Sequence, residues 1–506
     1  MLMHHLLYRG AEWAPEKVAL RWVDRELEYT YAEAVEQMER FAGALNDLGA
    51  GRGDRVSVVA HNGMDYLMAL FGCWRIGAIP ALVNVKLAGE LDYYFSDHTP
   101  TVVIFTHDAY DQVTAAASAV SSVRALVCMD KPMGEAKDLG ELLRAGHKAP
   151  DDPADETAIA HLSYTSGTSG KPKGACLMHE PTMRATNCIA ERLRVRTHES
   201  SFGPSALSSS YQLVGNILPT LHRTGTVNVM SKWTQETGYD AIEKTGSALL
   251  IANPTLLTEL LHESKKRGKT PSSLRVGVSG GGPVPLPLKK AWRDELKLPL
   301  AESYGQSELG GFVALGFPDL EPDERLAPIG IAPPDKEVKI LNASDEEVPV
   351  GEVGQMCLRG GYMWGYWNRE EQTAKTLAGG WLHTGDAGCI DHNGYITMRG
   401  RFSELITVAS RTWFPRDVEE ALLECEGVTA SSVVAVADDK IGDRPIAFVV
   451  CNESLFDMDK MKAAITGLVP YDLQHLQIVP IDQFPMTPTG KIAKAELKEL
   501  AQEKFQ

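Results

Sequence analysis

Apolar positions in the first third of the chain alternate between two periods. Val35, Met38, Ala42, Leu45 and Leu48 recur at the three-and-four spacing of one helix face. Thr30 and Glu33 fit a reciprocal capping box at the start of that helix, and Gly49 suits its C-terminal end. Short β-rich runs follow at RVSVVAH (55–61), TVVIFT (101–106) and RALVCM (124–129). Helical patterns separate them, and strands alternating with helices favour parallel sheets covered by helices. The longest apolar region, 66–85, contains Arg75 and Pro80 and reads as a helix, a turn and a strand rather than a membrane span. An acidic surface loop, DDPADET (151–157), then leads into a further strand, AIAHLSY (158–164).

The texture changes from about Asp323. EVKIL, GQMCLRG and GYITMRG are short strands bounded by turns and predict a β-rich subdomain. After Arg401 the chain forms a compact final segment, with a helix at 415–425, strands at SSVVAVA and IAFVV, and another helix near Met461. The expected fold is therefore α/β. A large N-terminal domain (1–401) combines helix-covered sheets with a β-rich subdomain, and a small α+β domain (402–506) follows.

Composition narrows the class of protein. A chain of 506 residues has room for a large core, and 44% apolar with 23% charged residues is ordinary for a globular protein. The net charge of −17 argues against nucleic acid as a partner, which needs a basic face. The eight cysteines are far apart and never in Cys-x-x-Cys spacing, so reduced thiols and a cytoplasmic location are expected. The opening MLMHHLLYRG has no basic region before an apolar run, so no signal peptide is expected.

The strongest chemical signal is YTSGTSGKPKG (164–174). Hydroxyls and bare backbone N–H groups suit phosphate oxygens, glycine lets the backbone approach a ligand, and two lysines add charge that a polyphosphate would neutralise. Pro172 follows Lys171 where the usual P-loop has a Ser or Thr for magnesium, so the stretch does not fit that spacing; a flexible Ser/Gly linker is the other reading, which the Lys-Pro-Lys-Gly ending disfavours.

That stretch resembles the signature loop of the adenylate-forming superfamily, which includes acyl-CoA synthetases, peptide-synthetase adenylation domains and luciferases. SGGGPVP (279–285), ESYGQSE (302–308), GWLHTGDAG (380–388), Gly400-Arg401 and PTGK (488–491) follow in the order that family has. The resemblance covers the chain from about residue 10 onward. It implies adenylation of a carboxylic acid by ATP with Mg²⁺, giving an acyl adenylate and pyrophosphate, then transfer to CoA: an acyl- or aryl-CoA ligase. The final segment is similar to the family's small mobile domain, with a hinge near Phe402 and Ser403. Members of the family are often dimers, so a homodimer is compatible with the resemblance.

Site residues follow by resemblance. Thr165, Ser166, Gly167, Thr168, Ser169 and Lys173 would hold the β- and γ-phosphates. Gly281, Gly282 and Pro283 would border the adenine, with Tyr304 stacked near it and Glu302, Ser303 and Ser307 alongside. Glu308 would bind Mg²⁺, a hard cation suited to carboxylate and phosphate oxygens. Asp386 would accept from the ribose hydroxyls, with Arg401 close by. Lys491, on the turn after Pro488, would contact both the carboxylate and the α-phosphate. Charge stabilised as it develops is often the largest catalytic effect, so Lys491, Lys173 and Glu308 are the expected catalytic residues. Tyr211, Gln212, Gly215, Gly280 and Gly310 would shape the acyl pocket. No basic residue stands in 211–215 or 278–282, which points to an apolar or aromatic acid.

Several positions depart from the family pattern. Gln212 stands where acyl-CoA synthetases usually carry His, and Ser403 where the hinge usually has Asp or Lys. Ala409 and Ser410, followed by Arg411 and Trp413, occupy a loop that usually carries paired glycines beside the pantetheine tunnel. Ser307 replaces Thr. These positions bear on the second step, and they leave open a non-CoA acceptor, including diazotisation of an aryl amine with nitrite. A different class is also on offer: GVSGG (277–281) matches the Gly-x-Ser-x-Gly elbow of serine hydrolases with Ser279 as nucleophile, though Pro283, Pro285 and Pro287 disfavour the helix such an elbow needs. A nucleotide sensor with a decayed site is the third possibility. The presence of Lys173, Glu308, Asp386, Arg401 and Lys491 speaks against it.

Overall fold

A computed structural model describes residues 1–153, 155–165, 171–409, 411–452, 455–486 and 492–505. The helix expected after Thr30 spans Tyr31–Asp47. The Thr30 hydroxyl accepts from the Glu33 N–H at 3.2 Å, and the Glu33 carboxylate accepts from the Thr30 N–H at 2.8 Å. Each bond supplies an orphan donor of the first turn with an acceptor. The buried face of the helix packs against the helix Met64–Arg75, which is apolar on nearly every side and buried almost throughout. Gly72 permits that approach, because a Cβ there would lie 2.8 Å from the Cβ of Phe41.

Two large sheets carry the N-terminal part. In the first, Arg55–Ala60, Ile79–Asn84, Val102–Phe105 and Ala125–Cys128 run parallel, as expected, and Ile159–Tyr164 joins them parallel to Ile79–Asn84. Ile159–Tyr164 then doubles back as an antiparallel hairpin with Gly174–Met178, and Gly365–Tyr366 adds the edge. The sequence placed the phosphate loop after a strand. The return strand was not anticipated.

The second sheet has thirteen strands. Its parallel part contains Val18–Trp22, Ser200–Phe202, Thr226–Val229, Leu249–Ala252, Val276–Ser279 and Leu300–Tyr304. The β-rich region expected from about Asp323 is not a separate layer: Gly330–Ile331, Glu337–Leu341, Gly354–Arg359, Leu382–Ile390 and Tyr395–Arg401 extend this same sheet in antiparallel pairing. The join is the short strand Ala314–Leu315, antiparallel to Leu300–Tyr304.

Sheet membership changes between Arg401 and Ile406. A five-stranded sheet built from Ile406–Val408, Arg411–Trp413, Val428–Asp438, Gly442–Cys451 and Gln477–Pro480 begins there. The helices Pro415–Leu423 and Met458–Ile465 close a core of its own around Trp413, Val418, Leu422, Val433, Val449 and Ile465. Arg399 reaches across to Asp417 at 2.6 Å. All eight cysteines are free thiols. Among the described residues, no helix is long and apolar enough to cross a membrane.

Candidate active site

The parallel strands Val276–Ser279 and Leu300–Tyr304 lie in register, Ser279 beside Glu302, so their C-terminal ends open side by side. Such ends are where α/β sheets take ligands. Gly280 follows the first strand and has no room for a side chain: a Cβ would sit 2.3 Å from Ser303 Oγ and 3.0 Å from the Tyr211 ring. Gly281 adopts φ +79°, which favours glycine, and it, Gly282 and Pro283 are exposed, with open space where the two glycine Cβ atoms would be. Ser303 Oγ donates to Ser279 O at 2.9 Å and ties the two strand ends together.

The segment 302–308 is the hub of the site. The Tyr304 hydroxyl donates to Asp386, and Gln306 Nε2 donates to Asp386 Oδ2 at 2.7 Å and to Thr384 O at 2.8 Å. Arg401 Nη1 stands 3.0 Å from Asp386 Oδ1, across the antiparallel pair in which Asp386 faces Arg401. Asp386 is buried, so this carboxylate is fixed in place by phenol, amide and guanidinium together. Burial first, and then the Asp386 charge, push the Tyr304 phenol well above its ordinary range, so it stays a donor.

The other end of the hub meets the phosphate loop. Glu308 is half-buried and its Oε1 accepts from the Tyr366 hydroxyl at 2.6 Å. Lys173 Nζ lies 4.5 Å from the centre of the Tyr366 ring. The base of the loop is closed by Thr165 N–H to Lys173 O at 3.0 Å and Lys173 N–H to Thr165 Oγ1 at 3.2 Å. The Tyr93 hydroxyl donates to Pro172 O, and Lys171 Nζ lies 5.0 Å from the Tyr93 ring. Ser166, Gly167, Thr168, Ser169 and Lys491 lie outside the described residues. Magnesium fits this donor set: it takes one or two carboxylates plus phosphate oxygens, and Glu308 offers the carboxylate beside the phosphate loop.

Three expected site residues are engaged within the fold. Glu302 is buried and its carboxylate is taken by Lys289, with Arg416 of the final segment 3.9 Å away. Gln212 is fully buried: its Nε2 donates to Ile251 O at 3.0 Å and its Oε1 accepts from Asn216 at 3.2 Å. Both ends of that amide are used, so it presents nothing to an acyl group. Gly310 packs on the helix His179–Arg192, where a Cβ would lie 2.6 Å from Thr182 Oγ1. Tyr211 and Gly215 do share a wall, since Phe312 lies 5.9 Å from the Tyr211 ring and 3.0 Å from a Cβ at Gly215, and the Tyr211 hydroxyl donates to Val278 O at 3.0 Å. Ser307 is half-buried within the hub.

The remaining departures also resolve. Trp413 is buried in the core of the small sheet and stacks on Tyr471 at 4.7 Å and 11°, so its ring narrows no channel. Ala409 keeps a left-handed φ of 48°, the conformation for which the family's glycine would be suited; Ser410 lies outside the described residues. Ser279 is fully buried, and residues 280–285 intervene before the next helix, Leu286–Ala291, so the hydrolase elbow is absent.

Sequence reasoning missed Gln306 and Tyr366. Gln306 lies inside a motif that was noticed but had no role of its own. Tyr366 had no local signal, because Lys173 and Glu308 are far away along the chain.

Comparison with known proteins agrees with this geometry. A family model described as AMP-binding enzyme matches residues 7–367, and one described as AMP-binding enzyme C-terminal domain matches 417–491. The chain is 32% identical over 497 residues to a feruloyl-CoA synthase of Amycolatopsis sp, covering 97% of each chain. It is 28% identical to an indoleacetate–CoA ligase of Aromatoleum aromaticum (strain DSM 19018 / LMG 30748 / EbN1), covering 98% of this chain and 97% of that one. A crystal structure of the anthranilate CoA ligase AuaEII in complex with anthranoyl-AMP superposes with a TM-score of 0.90 at 22% identity, covering 99% of this chain and 97% of that one, and so shares its fold. With the family models spanning most of the chain and a relative 32% identical over 97% of it, the chain belongs to the AMP-binding enzyme family and is an AMP-forming ligase of acyl-CoA synthetase type.

Proposed function

We propose that this protein joins a carboxylic acid with an apolar or aryl tail to AMP, and then passes the acyl group to the thiol of CoA. In the first step a carboxylate oxygen bonds to the α-phosphorus and the bond to the pyrophosphate oxygen breaks. In the second, the thiol loses its proton, sulfur bonds to the acyl carbon, and AMP leaves. The observation that carries this reading is the hub 302–308. Ser303 joins it to the glycine turn, Tyr304 and Gln306 to Asp386, and Glu308 through Tyr366 to Lys173.

Each group has a task that its surroundings suit. Asp386, held by Tyr304, Gln306 and Arg401, accepts from the ribose hydroxyls. The exposed turn 281–283 borders the base. Lys173 and the hydroxyls of the phosphate loop hold the β- and γ-phosphates, and Glu308 takes Mg²⁺, which neutralises phosphate charge when bound. Lys491 contacts the carboxylate and the α-phosphate as charge moves between them. For the acyl tail, Tyr211, Phe312 and Gly280 form a wall without charge, and two relatives named for aryl acids support an aryl substrate.

We divide the chain at residue 401, where it leaves the thirteen-stranded sheet, with Lys491 in the smaller part. Eight free thiols support a reducing, cytoplasmic setting. The test is pyrophosphate release with ATP, Mg²⁺ and a panel of aryl and alkyl acids, with and without CoA, and products identified by mass. An acyl-CoA thioester from one acid class is the expected result. Release without thioester would reject CoA as the acceptor, and no acid-dependent release from any acid would reject the first step.

A further inference from the structure

Tyr366 touches two groups of opposite charge with two different parts of one side chain. Its hydroxyl donates to Glu308 Oε1 at 2.6 Å, and its ring face lies 4.5 Å from Lys173 Nζ. The electron-rich ring face attracts an ammonium, while the acidic hydroxyl hydrogen is held by a carboxylate. Among the described residues, no ion pair joins Lys173 to Glu308 directly. Direct pairing would neutralise both groups before a nucleotide arrived.

The placement of Tyr366 is itself over-determined. It lies on the two-residue edge strand Gly365–Tyr366, paired with Cys176 and Ala175 just past the phosphate loop. Its N–H donates to Thr373 Oγ1 at 2.9 Å. On one side, Trp367 N–H donates to Gly174 O at 2.7 Å, next to Lys173; on the other, Met363 N–H donates to Glu308 O at 2.7 Å. The segment 363–367 therefore clamps the phosphate loop to the hub, and Tyr366, only 6% exposed, fills the middle of the clamp.

We propose that Tyr366 is a positioning residue that holds Lys173 and Glu308 apart and aimed at one site, so that a phosphate-binding cation and a metal-binding carboxylate stay available together. The proposal rests on the roles given to Lys173 and Glu308 above. Because the hydroxyl acts on Glu308 and the ring on Lys173, the two halves are separable by substitution. Tyr366→Phe keeps the ring and removes the hydroxyl. Tyr366→Leu removes both.

The experiment measures ATP binding by calorimetry without metal and across a Mg²⁺ titration, alongside acid-dependent pyrophosphate release over the same titration. Tyr366→Phe should bind ATP normally without metal and need several-fold more Mg²⁺ for half-maximal response. Tyr366→Leu should show that shift and also bind metal-free ATP several-fold more weakly. Lys173→Ala and Glu308→Gln serve as references. If the references lose ATP affinity and Mg²⁺ response while Tyr366→Phe matches the native protein at every Mg²⁺ concentration, the positioning role is rejected and the site stands. If both references behave as native, the roles of Lys173 and Glu308 fall and the proposal falls with them. A lowered melting temperature in either tyrosine variant, with unchanged Mg²⁺ dependence, would mean ordinary packing and also reject it.

Discussion

The surroundings of Asp386 and of Glu308, to which the proposed function gives the ribose and the polyphosphate, differ in how their charges are engaged. Around Asp386, a buried carboxylate is already supplied with Tyr304, Gln306 and Arg401. Around Glu308, a half-buried carboxylate and a half-buried ammonium are kept from each other by an aromatic ring. A neutral sugar must be read by hydrogen bonds of fixed direction, which a rigid buried acceptor provides. A polyphosphate brings its own large charge and a metal, so its groups must stay uncommitted until it binds. A buried charge without partners would be costly, and the buried Asp386 has more partners than the half-buried Glu308.

The largest expected effect would sharpen the contrast between binding and chemistry. Lys491→Ala should lower the adenylation rate at least about 100-fold, a loss of roughly 3 kcal/mol, with KM for ATP changed by less than about threefold. Single-turnover pyrophosphate release measures this, and near-native release would remove Lys491 from the mechanism. Asp386→Ala comes next. It should raise KM for ATP roughly 30-fold or more, about 2 kcal/mol, because charge-assisted bonds are worth about that much and the donors lose their acceptor. Unequal sensitivity to a 2′,3′-dideoxy ATP analogue is the expected signature: the native protein should lose affinity for the analogue and Asp386→Ala should not distinguish it from ATP. If the variant still prefers ATP, the ribose assignment is wrong.

Glu308→Gln should be milder in metal-free ATP binding and stronger in metal response, raising the Mg²⁺ needed for half-maximal turnover on the order of tenfold. An unchanged Mg²⁺ titration would collapse the distinction between the two regions. The smallest effect concerns the small domain. Ala409 holds φ 48°, a left-handed conformation that costs an L side chain about 1–2 kcal/mol, partly offset by the greater unfolded freedom of glycine. Ala409→Gly should therefore stabilise the protein by about 0.5 kcal/mol in denaturant titration, leaving KM for ATP and the Mg²⁺ response unchanged. Destabilisation would show that the Ala409 methyl makes contacts that outweigh its strained backbone.

Legibility in the sequence followed the range of the interactions involved. The helix Tyr31–Asp47 was readable because its cap joins residues three apart and its buried face repeats within one turn. The strands Arg55–Ala60 and Val102–Phe105 were readable from short β-branched runs. The ordered motifs gave Asp386, Arg401, Tyr304, Lys173 and Glu308 as residues to watch. The partners of Gln212 and Glu302 were not legible, because a polar residue inside a motif looks the same whether it faces a ligand or a buried partner. Only the contacts to Ile251, Asn216 and Lys289 tell the two apart.

By itself the sequence determined the local elements, the order of the phosphate loop, glycine turn, hub and final lysine, and through them the family and its reaction class. These are written in adjacent residues, where backbone propensity and side-chain chemistry act over a turn or two. Tertiary structure alone decided that the β-rich region continues the parallel sheet, that Trp413 belongs to a core, and that Tyr366 stands between Lys173 and Glu308. Those contacts join segments far apart along the chain. Which of many possible partners meet is settled by the packing of whole sheets, a property no single stretch of residues carries.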